Sequence, residues 1–133
     1  MPCGPGGALA VVGNAAVLGD SPLRRALDAV YARHAPQMTG PPATRWYGAE
    51  GPIRELFAES GRFGRVAWRR HPWSRVQETA DYIGWLRTHS DHRMLPLPQH
   101  ELLLRAVAEV IDAFGGAIEV AYEANLYVGQ RVA

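Results

Sequence analysis

The side chains best suited to chemistry crowd into one short segment, His89-Ser90-Asp91-His92, with His71 and His100 elsewhere in the chain. Two histidines three residues apart can share a helix face, and imidazole is the commonest zinc ligand. Zinc would need a third ligand from that set and an open position, while this segment runs on into a Leu95-Pro96 loop. Solvated or pocket-lining histidines are the default reading, and no metal is expected. A Ser-His-Asp hydrolase drawn from Ser90, His89 and Asp91 fails on geometry, because adjacent residues cannot set a base between nucleophile and acid. No nucleophile elbow exists either. The glycines near the start do not make a phosphate loop. Gly4-Pro5-Gly6-Gly7 lacks the third glycine of a dinucleotide fingerprint and precedes a strand, and Gly13 to Gly19 lacks the Lys and Ser/Thr of a Walker loop.

The elements that must position these residues follow from periodicity and punctuation. The Pro-Gly-Gly turn at Pro5 feeds Ala8 to Val12, an apolar run that reads as a strand buried on both faces and central in its sheet. Such strands have neighbours on either side, so the chain reads as beginning in the middle of a fold. Asp20-Ser21-Pro22 predicts a helix start, followed by Leu23, Ala26, Leu27, Val30 and Tyr31 at helical spacing and ended by Pro36. A Pro- and Gly-rich loop from Pro36 to Gly51 carries Trp46 and Tyr47, whose commoner fate is packing on the core. Pro52 opens a short helix with Ile53, Leu56 and Phe57 on its apolar face and Gly61 as its stop.

Phe63 to His71 reads as a strand ended by Pro72. Thr79 is expected to cap a helix running to Thr88, with Ala80, Ile83 and Leu86 on one apolar face and Tyr82, Trp85 and His89 on another. Two such faces fit a helix that packs on a core and covers something else, or two sides of one crowded core. Pro98 opens a long helix with Leu103, Val107, Val110 and Phe114, stopped by Gly115-Gly116. Ile118 to Val128 alternates cleanly, which predicts a long strand with the even positions buried and antiparallel pairing.

Three strands with helices between them give an α/β domain of 133 residues, one modest core in length. A net charge of +1 offers no nucleic-acid footprint, and no apolar run reaches the ~18 residues of a membrane span. All fourteen basic residues are arginine, which reads as coding bias. The single cysteine, Cys3, rules out an internal disulfide and fits a reducing cytoplasm, the expected location. The stretch from Gly7 to Leu18 lacks a preceding basic residue and is interrupted by Gly13-Asn14, which argues against a secretory leader.

Taken in order, these pieces resemble class I S-adenosylmethionine-dependent methyltransferases of the small-molecule, type 11 kind. In that family a Pro-Gly-Gly turn leads into the fifth strand, and Gly4-Pro5-Gly6-Gly7-Ala8-Leu9 stands in that place. A sixth strand follows a Gly-Phe-like turn, here Gly61-Arg62-Phe63, and an antiparallel seventh strand ends the domain. Asp81 to Ser90 is similar to the Leu-Arg-Thr-x-Ser segment of a subset whose helical insert covers the substrate. The resemblance spans nearly the whole chain but only the C-terminal half of the family's domain. It implies one partial Rossmann-like domain over residues 1–133, with three strands, the last antiparallel and central, flanked by helices. A helical cover is implied at about 74–98.

The resemblance further implies a methyltransferase acting on a small-molecule acceptor. The family's glycine-rich first turn and its ribose-binding acid have no counterpart, so no residue for S-adenosyl-L-methionine can be assigned and little binding or activity is expected of these residues alone. Asn14 would line the pocket, with Trp73, Tyr82, Trp85, Arg87, His89 and His92 covering the acceptor. Arg87 would suit a carboxylate, and His89 or His92 would accept a proton. The alternative is a non-enzymatic interaction module that associates, with itself or a partner, through the open edge of its first strand.

Overall fold

The computed structural model describes residues 3–17, 19–38, 46–48 and 50–132. Three strands, β1 (Ala8–Val17), β2 (Phe63–Glu78) and β3 (Ala117–Arg131), form one sheet in the order β1-β3-β2. β1 runs antiparallel to β3, with Ala8 opposite Gln130 and Val17 opposite Ala121. Backbone bonds from Val132 N–H to Arg62 C=O and from Thr79 N–H to Gly116 C=O set β2 antiparallel as well. The last strand therefore lies between the other two and antiparallel to both, the order that the resemblance implied.

Among the described residues five α-helices accompany the sheet: α1 (Pro22–His34), α2 (Pro52–Ser60), α3 (Thr79–Arg87), the single turn α4 (Ser90–Arg93) and α5 (Leu97–Ala113). The start of α1 is as its sequence dictates. The Ser21 hydroxyl accepts from the Arg24 N–H at 3.0 Å, and Pro22 occupies the first turn, where its missing N–H has no role. Gly61 after α2 and Gly115-Gly116 after α5 take positive φ and stop those helices.

The chain divides into two compact units. One comprises Leu18–Gly40 and Arg75–Val120, the other Met1–Val17, Pro41–Ser74 and Ala121–Ala133. The first is a helical unit built on an apolar core of Leu27, Ala35, Leu86, Leu95, Leu103, Leu104, Val107, Ile111 and Ile118. The second is a sheet unit, in which Phe57 of α2 packs edge-on against Phe63 and lies over Gly129. The Tyr47 ring lies against Gly13 so closely that a Cβ there would collide with it. The rest of the Pro36–Gly51 loop, residues 39–45 and 49, lies outside the described residues.

Several expectations are corrected. β1 has ten residues instead of five, and among the described residues it is an edge strand with one neighbour, so Leu9 and Val12 (72 % exposed) are not buried. Pro72 does not end β2, which continues to Glu78; an edge strand needs no N–H on its outer side. Leu56 is 62 % exposed because nine-residue α2 turns only Phe57 fully inward. Thr79 is not a cap. Glu78 holds that position without a side-chain bond, and the Thr79 hydroxyl donates instead to Asp112 Oδ1 at 2.6 Å.

Ala80 and Phe114 are exposed, the first opposite the core-facing side of α3 and the second just past the end of α5. The segment read as loop after Thr88 contains α4, and α5 begins at Leu97. In β3 the even positions are buried at Ile118 and Tyr122, but Asn125, Tyr127 and Gly129 on the odd face are buried further on. A central strand is covered on different faces along its length, which a single alternation cannot express.

Candidate functional site

In the helical unit the aromatic and titratable residues of α3 and α4 gather around His92. Leu86 anchors α3 in the core, with Ile83, Tyr82 and Trp85 half-buried and packed against the same core. The rings of Tyr82 and Trp85 lie 5.5 Å apart, and Trp85 meets His89 edge-to-face at 4.2 Å. His89 and His92 follow at 5.8 Å. Thus α3 turns its second face, together with the first turn of α4, into a continuous row of rings.

The hydrogen bonds fix these rings. His92 is buried, with Nδ1 2.7 Å from Asp91 Oδ1 and Nε2 2.6 Å from the Tyr31 hydroxyl of α1. The His92 backbone N–H donates to the same carboxylate oxygen at 2.7 Å. Burial pulls the Asp91 carboxyl upward, but the bonds from the His92 ring and backbone, with attraction to both histidines, outweigh it. The carboxyl is held below its ordinary 3.8. Burial, then the neighbouring Tyr82 and Asp91, push the Tyr31 phenol above the ordinary tyrosine range. The result is an Asp91–His92–Tyr31 relay in which an ionised carboxylate orients the imidazole and a protonated phenol occupies its far nitrogen.

His89 is held differently. Its Nδ1 lies 2.9 Å from the Trp85 carbonyl at the end of α3, which also accepts from the Thr88 hydroxyl. Arg87 faces α5 instead. Its guanidinium grips Glu101 through both nitrogens at 2.7 and 3.2 Å, and that bond raises the Arg87 pKa and lowers the Glu101 one. An arginine so engaged must release Glu101 before it can bind a ligand carboxylate.

Asn14 and Trp73 belong to the sheet unit. The Trp73 indole N–H donates to Asn14 Oδ1 at 2.9 Å, and the ring stacks on Tyr122 at 4.5 Å. Nearby on β2, the Trp68 indole N–H donates to the buried Asn125 at 3.0 Å. Of the residues singled out from sequence, Asn14 pairs with Trp73, and Tyr82, Trp85, His89 and His92 form one row, with Arg87 committed to Glu101.

Sequence reasoning missed the partners. The sequence shows Tyr31 only as part of the packing face of α1, and no local spacing signals a bond to a residue 61 positions away. Asn125, read as outward-facing, carried a usable signal: a polar residue amid the apolar alternation of β3. Among the described residues, no group of three or more His, Cys, Asp or Glu side chains is disposed to hold a metal ion. No helix among the described residues is long and apolar enough to cross a membrane. No family model matches the chain, and no curated protein matches it.

Proposed function

We propose that the chain carries the acceptor-side portion of a class I S-adenosylmethionine-dependent methyltransferase that acts on a small molecule, working in the cytoplasm. The observation that supports this reading is the strand order. The resemblance implied a last strand lying between the two others and antiparallel to both, an arrangement that chain order alone would not suggest, and the sheet has it. The ring-lined face of α3 and α4 supports a small, flat acceptor.

The residues present do not fit the cofactor. At the carboxyl end of β1, Ala15, Ala16 and Val17 offer no polar side chain, and the Asn14 side-chain oxygen already accepts from Trp73. Among the described residues no glycine-rich turn follows a strand, and the acid that ends β2, Glu78, stands at the start of α3 with no such turn beside it. The chain's own residues would instead bind and orient the acceptor through Tyr82 and Trp85 and take up its proton. Calorimetric titration with S-adenosylmethionine tests the assignment, with weak or no heat expected; micromolar binding would show that the cofactor's contacts lie within these residues. Protein in which these residues are joined to a glycine-rich cofactor-binding half of the class I type should transfer labelled methyl from S-adenosylmethionine to a small-molecule fraction. Failure of that protein to do so would overturn the reading.

A second reading, association through the edge of β1 that has no neighbour among the described residues, is favoured by the contrast between the two outer strands. β2 bears Arg65, Arg69, Arg70 and Arg75 with Pro72, the usual protections of an exposed edge. β1 has no charge and no proline over its ten residues, and exposes Leu9, Val12 and Val17. A strand of that kind is suited to being paired. Light scattering across a concentration series should show self-association of the chain, abolished by Val12→Lys. A monomer at every concentration would remove this reading.

A further inference from the structure

The two histidines of the ring-lined face are not equivalent, and their hydrogen bonds decide which can act on a ligand. A carbonyl oxygen only accepts, so the 2.9 Å contact with the Trp85 carbonyl puts the His89 proton on Nδ1. In the neutral ring this leaves the lone pair on Nε2. No hydrogen bond to that nitrogen is formed among the described residues. His92 has the same tautomer for a different reason, since the Asp91 carboxylate is an acceptor beside its Nδ1. Its Nε2 lone pair, however, is occupied by the Tyr31 hydroxyl at 2.6 Å, and the ring is buried. His89 is only half-buried.

We propose that His89 is the proton acceptor of this face, with its Nε2 receiving the proton of a phenolic O–H or a ring N–H on a bound aromatic ligand, and that His92 is a positioning residue. In the step, the ligand's O–H bond breaks, its electron pair stays on the oxygen, and the proton bonds to Nε2. The imidazolium that forms keeps its Nδ1–H on the Trp85 carbonyl at the C-terminal end of α3, where the helix dipole favours positive charge. The edge of the His89 ring against Trp85 and the Trp85–Tyr82 pair give a flat ligand aromatic surface beside the base. His92, clamped between Asp91 and Tyr31, fixes the neighbouring turn. The proposal rests on the acceptor-side reading and narrows its substrate to aromatic compounds with a weakly acidic proton.

Diethyl pyrocarbonate, which attacks unprotonated and accessible imidazole nitrogen, tests it on the whole chain without cofactor. With modification mapped by mass spectrometry at neutral pH, His89 should react at a rate close to that of exposed His71. His92 should react about tenfold more slowly or less, the factor a retained hydrogen bond imposes. Tyr31→Phe, with folding verified by circular dichroism, should raise the His92 rate and leave His89 unchanged. Phenol at millimolar concentration should slow His89 and not His71. A protected His89, a His92 as reactive as His89 in the unaltered chain, or a His89 rate indifferent to phenol would each overturn the proposal. Methyl transfer plays no part in these measurements. A reactive, phenol-protected His89 in protein that transfers no methyl would defeat the methyltransferase reading alone, and an inert His89 in protein that does transfer would defeat this proposal alone.

Discussion

The helical unit and the sheet unit are held by different means. The helical unit has an apolar centre: Leu103, Leu104, Val107 and Ile111 along one stripe of α5 are essentially inaccessible and meet Leu27 and Leu86. Each such side chain contributes roughly 1.5–3 kcal/mol on burial, so this unit is held chiefly by hydrophobic packing. The sheet unit relies on aromatic rings with polar handles. Tyr127, fully buried, bonds the Gly48 carbonyl; Trp68 bonds Asn125; Trp73 stacks on Tyr122 while reaching Asn14. Its outer strand β1 stays largely uncovered. Where apolar cover is short, directional bonds set the register and faces of strands. A core of packed leucines can tolerate changes in shape that such bonds cannot.

The contrast is broken most directly in the helical unit. Leu103→Ala is expected to cost ~2–5 kcal/mol in urea unfolding, because a fully buried leucine leaves a cavity. Val12→Ala in β1 should stay within about 0.5 kcal/mol, since that side chain is already largely in water. Equal costs at the two positions would erase the distinction.

Next in size is Trp68→Phe. It keeps an aromatic ring on β2 and removes the donor to Asn125, leaving a buried amide oxygen unpaired at a cost of ~1–3 kcal/mol. Changing Asn125 to Leu in the same background should recover part of that loss, and no recovery would mean that ring size, and not the bond, matters.

Asp91 sharpens the comparison through pH. Its folded pKa is depressed, so its contribution is present above the ordinary 3.8 and is lost as pH falls through the lower, folded value. Stability measured from neutrality into acid should therefore fall more steeply in the unaltered chain than in Asp91→Asn. The difference should be modest, because the carboxylate side chain is largely in solvent. Parallel curves would show that the relay to His92 contributes nothing to folding.

Smallest of all is Arg87→Ala. Its pair with Glu101 is exposed at both ends, and the melting temperature should not move measurably. A clear drop would mean that the ion pair does more for the helical unit than its position allows.

Much of the architecture was legible because it is local. Ser21-Pro22 and Gly115-Gly116 announce helix ends through backbone chemistry that involves no distant residue. The candidate site was legible only as a set of residue types. The spacing of Tyr82, Trp85 and His89 is that of one helix face, but nothing in the order of residues says that His89 follows the end of α3 or that Tyr31 bonds His92 and not His89. Arg87 illustrates the same limit, since a free guanidinium and one gripped by Glu101 read identically in the chain.

By itself the sequence determined the helix start at Ser21-Pro22 and the stops at Gly61 and Gly115-Gly116, that β3 would be a long antiparallel strand, and that Tyr82 and Trp85 would share a face of α3. These follow from φ/ψ preferences, capping and hydrophobic period, all of which act within a few residues. Only the tertiary structure decided that β2 runs past Pro72, that the buried face of β3 changes along its length, and that one histidine of the pair has a nitrogen without a hydrogen bond among the described residues. The physical reason is common to all three. An edge position makes a proline's missing N–H harmless, a central position covers both sides of a strand, and a hydrogen bond spanning 61 residues fixes a tautomer's far nitrogen. Each depends on what folding brings alongside, and not on what the chain places next.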